Sequence, residues 1–153
     1  MASRPTIADY RALADFRYQL RRFLRFSEDA ARDAGLEPRQ HQLLLAVKGM
    51  PDGVAPTMGA VAERLQLQQH SVVELVDRMA DRRLVQRLPG AGDRRQVLIA
   101  VTARGESLLA RLSAAHRAEM RSIGPRLRSA LDHLVADMES THPAAGRTAA
   151  GTR

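Results

Sequence analysis

Between residues 57 and 101 the spacing of the apolar side chains changes twice, and that change limits the folds open to this chain. Val61, Ala62 and Leu65 follow Thr57 at helical spacing, and Thr57 suits an N-cap because its hydroxyl can accept from a free backbone N–H. After Gln66, Leu67 and Gln68 a second stripe begins, made of Val72, Leu75, Val76 and Met79. His70, Ser71, Glu74, Asp77, Arg78 and Asp81 occupy the other side of that segment. Two short helices joined by a tight turn, the second polar on its outer face, predict a helix-turn-helix with its second helix over 69–82. The period then shortens. Residues 84–88 and 96–101 read as strands around the loop Pro89-Gly90-Ala91-Gly92-Asp93-Arg94-Arg95, whose glycines permit a hairpin.

Helices are expected on both sides of this block. In 7–34 the residues Leu13, Phe16, Leu20, Phe23, Leu24, Ala31 and Ala34 fall within about 100° of one another on a helical wheel, while Tyr18 and Phe26 lie off the stripe. Gly35 suits the stop of that helix and Pro38 the start of the next, which carries Leu43, Leu44 and Val47 and ends near 48–49. Residues 50–56 hold two prolines and a glycine and read as a connector, with at most a short strand at 54–56. Thr102 caps a fifth helix bearing Leu108, Leu109, Leu112 and Ala115. Gly124-Pro125 is expected to interrupt it, with a sixth helix carrying Leu127, Leu131, Leu134 and Met138, and a frayed tail from Thr141.

Several chemistries are disfavoured. The chain has no cysteine, which removes disulfides, thiolate metal sites and cysteine-based sensors. His41, His70, His116, His133 and His142 form no metal-ligand pattern, so no metal and no cofactor is expected. No nucleophile–base pair, phosphate loop or carboxylate pair stands at motif spacing, which argues against an enzyme. With no apolar run near the ~20 residues of a membrane span and no signal-peptide core, the expectation is a cytoplasmic protein without a membrane partner. The net charge of +7 suits a polyanion but does not locate its site. Residues 1–56 carry 9 basic against 7 acidic side chains, 57–101 carry 7 against 5, and 102–153 carry 8 against 5.

The order helix, helix, helix-turn-helix, hairpin, helix, helix resembles the MarR family of bacterial transcription regulators over roughly residues 7–140. The resemblance rests on Val61-Ala62-Glu63-Arg64-Leu65, on Leu75-Val76-Asp77-Arg78-Met79 with Leu84-Val85-Gln86-Arg87, and on Asp93-Arg94-Arg95-Gln96-Val97-Leu98 closing at Val101-Thr102 and Gly105. It implies a mainly α fold with a small β-hairpin wing: a winged helix-turn-helix lobe (38–101) between an N-terminal dimerisation helix (1–37) and C-terminal dimerisation helices (102–140), then the tail (141–153). It also implies a homodimer on a pseudo-palindromic double-stranded DNA operator, most simply a repressor relieved by a small, often aromatic, molecule. A nonspecific architectural DNA binder and a ligand-independent regulator are the alternatives. Two positions depart from the family habit: Gln68 stands where Ser or Thr usually caps the recognition helix, and Glu74 where a basic or small polar residue is common.

In a helix-turn-helix the start of the second helix enters the major groove, so Gln68, Gln69, His70, Ser71, Val73, Glu74 and Arg78 are the candidate DNA contacts. Gln can pair with adenine, Glu can accept from cytosine N4, and Val can touch a thymine methyl group. Ser71 and Glu74 also match capping-box spacing, which gives Glu74 a purely structural alternative. Asp77 and Asp81 need a cationic partner, with Arg78, Arg82 or a wing arginine within sequence reach. At the hairpin tip, Arg94 and Arg95 suit phosphate and the narrow minor groove. By resemblance Arg95 is the groove-inserting residue, Arg94 lies on phosphate and Asp93 orients the loop. Tyr18 and Phe26, with Arg17, His41 and Gln42 as polar partners, are the candidate ligand residues.

Overall fold

Thr6 and Asp9 start the first helix by a reciprocal cap. The Thr6 Oγ1 accepts from the Asp9 N–H at 3.3 Å, and the Asp9 carboxylate accepts from the Thr6 N–H at 2.5 Å, holding that carboxyl below the usual carboxylate range. The computed structural model describes residues 4–141. Among these, five α-helices frame one antiparallel hairpin: α1 (Ile7–Asp33), α2 (Pro38–Lys48), α3 (Met58–Leu65), α4 (Gln69–Asp81), β1 (Val85–Pro89), β2 (Val97–Val101) and α5 (Ala103–Thr141). The tail expected after Thr141, with His142, lies outside the described residues.

The chain divides into two units, Phe26–Arg117 and a second made of the residues up to Arg25 with those from Ala118 on. The first unit closes around Ala31, Leu36, Leu43, Leu44, Val61, Val72, Leu75, Val76, Met79, Leu84, Val85, Ile99, Leu109 and Leu112. Apart from Leu36, these lie in the apolar stripes and strands read from the sequence. The helical stripe of α4 is buried entire, and each helix contributes one apolar face, as amphipathic packing requires.

Three helices in this unit end in the same hydrogen-bonded reversal, with one residue left-handed and the next N–H returning to the carbonyl five residues back. At α1 the left-handed residue is Gly35 (φ 76), and Leu36 N–H donates to Ala31 O at 2.9 Å. At α3 it is Gln66 (φ 53), with Leu67 N–H on Ala62 O at 2.9 Å. At α4 it is Arg83 (φ 56), with Leu84 N–H on Met79 O at 2.9 Å. In each case the returning residue is apolar and packs into the core, which fixes the exit direction of the chain.

Two boundaries differ from the sequence expectation. Residues 54–56 form no named strand; instead Thr57 makes a single bridge to Leu98, and Ile99 N–H donates to Pro56 O at 2.9 Å. The prolines of the connector limit its N–H donors, so pairing shrinks to this point. Pro125 does not divide the last helix, and α5 runs through it to Thr141. A proline costs a helix one N–H and about 3 kcal/mol, and burial of Ile123 and Ala130 on either side offsets that local cost.

The second unit is less apolar inside. Gln19 is buried with Nε2 3.5 Å from Asp15 Oδ1, and its Oε1 has no partner among the described residues. Ile7, Tyr10, Leu13, Leu24, Met120, Leu131 and Val135 are exposed there. No helix among the described residues is long and apolar enough to cross a membrane, and no group of three or more His, Asp or Glu among them could hold a metal.

Candidate nucleic-acid interface

Burying Val72, Leu75, Val76 and Met79 turns the opposite face of α4 outward. Gln68, Gln69, His70, Glu74 and Arg78 are exposed, and Ser71 and Val73 are half-buried at the edge of that face. Gln68 is the N-cap by backbone conformation (φ −69, ψ 144), but its side chain makes no capping bond. That leaves the amide free for other partners. Because the cap is Gln68, Ser71 already lies inside the helix, so the Ser71–Glu74 capping box does not form. The Glu74 carboxylate is therefore a surface group rather than a cap.

The hairpin stands beside α4. Its strands pair from Val85↔Val101 to Pro89↔Val97, and the loop beyond is closed by Gly90 N–H on Gln96 O (2.8 Å) and Gln96 N–H on Asp93 O (3.0 Å). The Asp93 carboxylate accepts from the Arg95 N–H at 2.9 Å, so Asp93 shapes the turn that carries the arginines. Gly90 is buried against the loop, and a Cβ there would lie 2.7 Å from Asp93 O. Arg94 and Arg95 are both exposed, and neither forms an ion pair with a described residue.

Two ties set the position of α4, and neither follows from local sequence. Asp77, on its outer face, pairs with Arg87 of β1 at 2.5 Å, not with Arg78, Arg82 or the loop arginines. Arg82 instead donates from Nη1 to Gln40 Oε1 and from Nη2 to the Gly35 carbonyl, each at 2.7 Å. The hairpin is in turn fixed to α5 by Thr102. Its N–H donates to Leu84 O (3.1 Å), its hydroxyl donates to Arg83 O (2.7 Å), and Oγ1 accepts from the Gly105 N–H (3.2 Å).

Within the first unit, the candidate ligand residues Phe26, His41 and Gln42 do not line one cleft. Phe26 and His41 both touch His116, which the sequence did not single out: the Phe26 and His116 rings meet edge to face with centroids 5.5 Å apart, and those of His41 and His116 are 4.9 Å apart. His116 Nδ1 lies 2.6 Å from the Leu112 carbonyl, which can only accept, so Nδ1 carries the proton and Nε2 is left to the Ser27 hydroxyl at 2.8 Å. Burial, and then the neighbouring His116, push the His41 pKa below its ordinary value. Phe26 also borders a cleft of about 460 Å³ lined by Ala30, Ala34, Leu112 and Ala115 together with the charged Asp29, Asp33 and Arg111. Gln42 is exposed and lines a different cleft with Leu45, Glu63 and Arg64. Arg17 and Tyr18 belong to the other unit, both exposed, with the Arg22 guanidinium 5.8 Å from the centre of the Tyr18 ring.

Comparison with known proteins gives this geometry a setting. Residues 34–96 match the model of the MarR family. AbsC, a MarR family transcriptional regulator from Streptomyces coelicolor, superposes with a TM-score of 0.69 at 18% identity, covering 92% of this chain and 94% of that one. CouR from Rhodococcus jostii RHA1, bound to p-coumaroyl-CoA, is 26% identical with a TM-score of 0.60, covering 82% and 87%. The S. aureus MepR–DNA complex is 18% identical with a TM-score of 0.62, covering 82% and 94%. The comparison with curated proteins gave no match.

Proposed function

We propose that the chain is a MarR family protein and a homodimeric, sequence-specific DNA-binding transcription regulator, because residues 34–96 match the model of that family and the fold is similar to that of AbsC. The carrying observation is the pairing of an exposed polar α4 face, Gln68, Gln69, His70, Glu74 and Arg78, with an arginine-tipped hairpin tied to the same helix by Asp77 and Arg87. The helix face reads base edges in the major groove while Arg94 and Arg95 take phosphate and the minor groove. The acidic residues on α4 argue against an architectural binder that grips any duplex, because such binding depends on phosphate neutralisation alone.

The second unit supports dimerisation. Its exposed Tyr10, Leu13, Leu24, Leu131 and Val135, with the orphaned Gln19 carbonyl, suit a surface completed by a second copy. The operator is then a pseudo-palindrome with half-sites about one helical turn apart. MepR is solved with DNA and CouR with an aromatic acyl-CoA. By analogy this chain is a repressor released by a small ligand, and the cleft beside Phe26 is the apolar place best suited to an aromatic group.

Gel shifts and footprinting with the DNA upstream of the chain's own gene test the reading. Protection of a two-fold symmetric site over random sequence, by a protein of dimeric mass, is the expected result. Equal affinity for random duplex at matched salt would leave the architectural reading in its place. Release of that DNA by a panel of aromatic acids and their thioesters tests the ligand.

A further inference from the structure

Arg82 is the C-cap of α4, and its side chain turns to the joint between α1 and α2. Its two acceptors there are themselves held. Gly35 is the left-handed residue that closes α1. Gln40 is 5% exposed in the first turn of α2, and the Oε1 that receives Arg82 also accepts from the Glu37 N–H at 3.1 Å. One guanidinium therefore bridges the last turn of α1 and the first turn of α2 from the end of α4. Its planar fork fixes direction as well as distance, and its charge is favourable at the carbonyl ends of both α1 and α4.

The groove-facing residues lie at the far end of the same helix. From Arg82 back to His70 is about 18 Å at 1.5 Å per residue, so a 5° tilt about the clamp displaces His70 by about 1.6 Å. Apolar packing of Val72, Leu75, Val76 and Met79 holds α4 to the core but is not directional. A displacement of that size is enough to break the geometry of a bidentate contact to a base edge while leaving phosphate contacts in reach.

We propose that Arg82, through Gln40 and the Gly35 carbonyl, is a positioning residue that sets the tilt of α4 for base reading and carries sequence discrimination without touching DNA. The proposal rests on the DNA-binding reading above. It also makes the α1–α2 joint a place from which a change in α1 reaches the reading face.

The test uses the full chain and the operator recovered from bound genomic fragments. Anisotropy titrations against the operator and a scrambled duplex of equal length, at several salt concentrations, compare wild type with Arg82→Ala, Arg82→Lys, Gln40→Ala and Gln40→Glu, each first checked for cooperative melting. Arg82→Ala and Gln40→Ala are expected to lower the ratio of specific to nonspecific affinity about tenfold, a loss comparable to one mismatched base pair, with the salt slope unchanged. The double variant is expected to be no worse than either single one. Gln40→Glu keeps the ratio because a carboxylate accepts both bonds, and Arg82→Lys does not restore it because an ammonium lacks the fork. A parallel loss on both duplexes with a shallower salt slope, rescued by lysine, would instead make Arg82 a phosphate contact. A fall in melting temperature with the ratio intact would make it a structural prop. Either result overturns the proposal while the DNA reading stands. If wild type itself does not discriminate, both fall.

Discussion

The Arg87 guanidinium in β1 bonds the Asp77 carboxylate on the outer face of α4 at 2.5 Å, joining the hairpin to the helix beside it. Both side chains are more than a third exposed, so the pair adds little to stability, at most about 1 kcal/mol. Its value lies in register between the two elements proposed to meet DNA. Arg87→Ala and Asp77→Ala are each expected to weaken operator binding several-fold while shifting the urea midpoint only slightly. In a double-mutant cycle the two losses should not add.

The loop arginines separate by their salt dependence. Arg94→Ala, if Arg94 rests on phosphate, reduces the slope of log affinity against log salt by about 0.9 and weakens all duplexes alike. Arg95→Ala is expected to cost most at operators with an A·T-rich segment where the minor groove is narrow. Equal behaviour of the two variants on every duplex would show that the tip makes only general contacts.

His41 makes the fold sensitive to acid. The unfolded side chain takes up a proton near 6.5, whereas burial and His116 hold the folded value lower. Between those two values the unfolded state binds more protons, so this contribution is present above about pH 6.5 and is lost as the pH falls below it. His41→Gln removes the titrating group. Thermal melts from pH 7.5 to 5.0 should fall less steeply for that variant than for wild type, and an identical fall would assign the effect elsewhere.

Arg83 and Gln66 are left-handed without being glycine. That conformation costs an ordinary residue about 1–2 kcal/mol, part of which glycine recovers against its greater freedom when unfolded. Arg83→Gly is therefore expected to stabilise the chain by roughly 0.5–1 kcal/mol in denaturant unfolding. Gly35→Ala, at φ 76, should destabilise it by about 1 kcal/mol.

Gly105 sits where α5 starts against the hairpin. A Cβ there would overlap the Leu84 carbonyl oxygen and lie 2.8 Å from Val101 Cγ1. Gly105→Ala must push α5 away from Leu84 and strain the Thr102 bonds, at a cost of about 1–3 kcal/mol by calorimetry. The Thr102→Ser variant keeps the hydroxyl and should cost much less.

Much of this architecture was legible from spacing. The stripe Val72, Leu75, Val76 and Met79 is the buried face of α4, Thr57 caps α3 through its Oγ1 at 3.1 Å from the Ala60 N–H, and the glycine-rich run is the hairpin loop from Gly90 on, Pro89 instead ending β1 opposite Val97. Errors came where a local rule met tertiary packing. Gly124-Pro125 reads as a helix break, yet α5 continues between buried Ile123 and Ala130. Ser71 and Glu74 have capping-box spacing, but the helix begins three residues earlier than that box requires, with Gln68 as its cap.

Local chemistry determined the elements, their order and their inward faces, because periodicity, caps and turn residues act within a few positions along the chain. The same reach made the exposed α4 residues and the Arg94-Arg95 tip nameable in advance. Partner choice is another matter. Arg82 finds Gln40 across 42 positions and Gly35 across 47, and His116 finds Ser27 across 89. Any arginine near Asp77 is equally plausible in one dimension. Only the packed helices, by fixing which carbonyl or carboxylate stands within about 3 Å of each fork, selected Arg87 for Asp77 and turned Arg82 to the joint of α1 and α2.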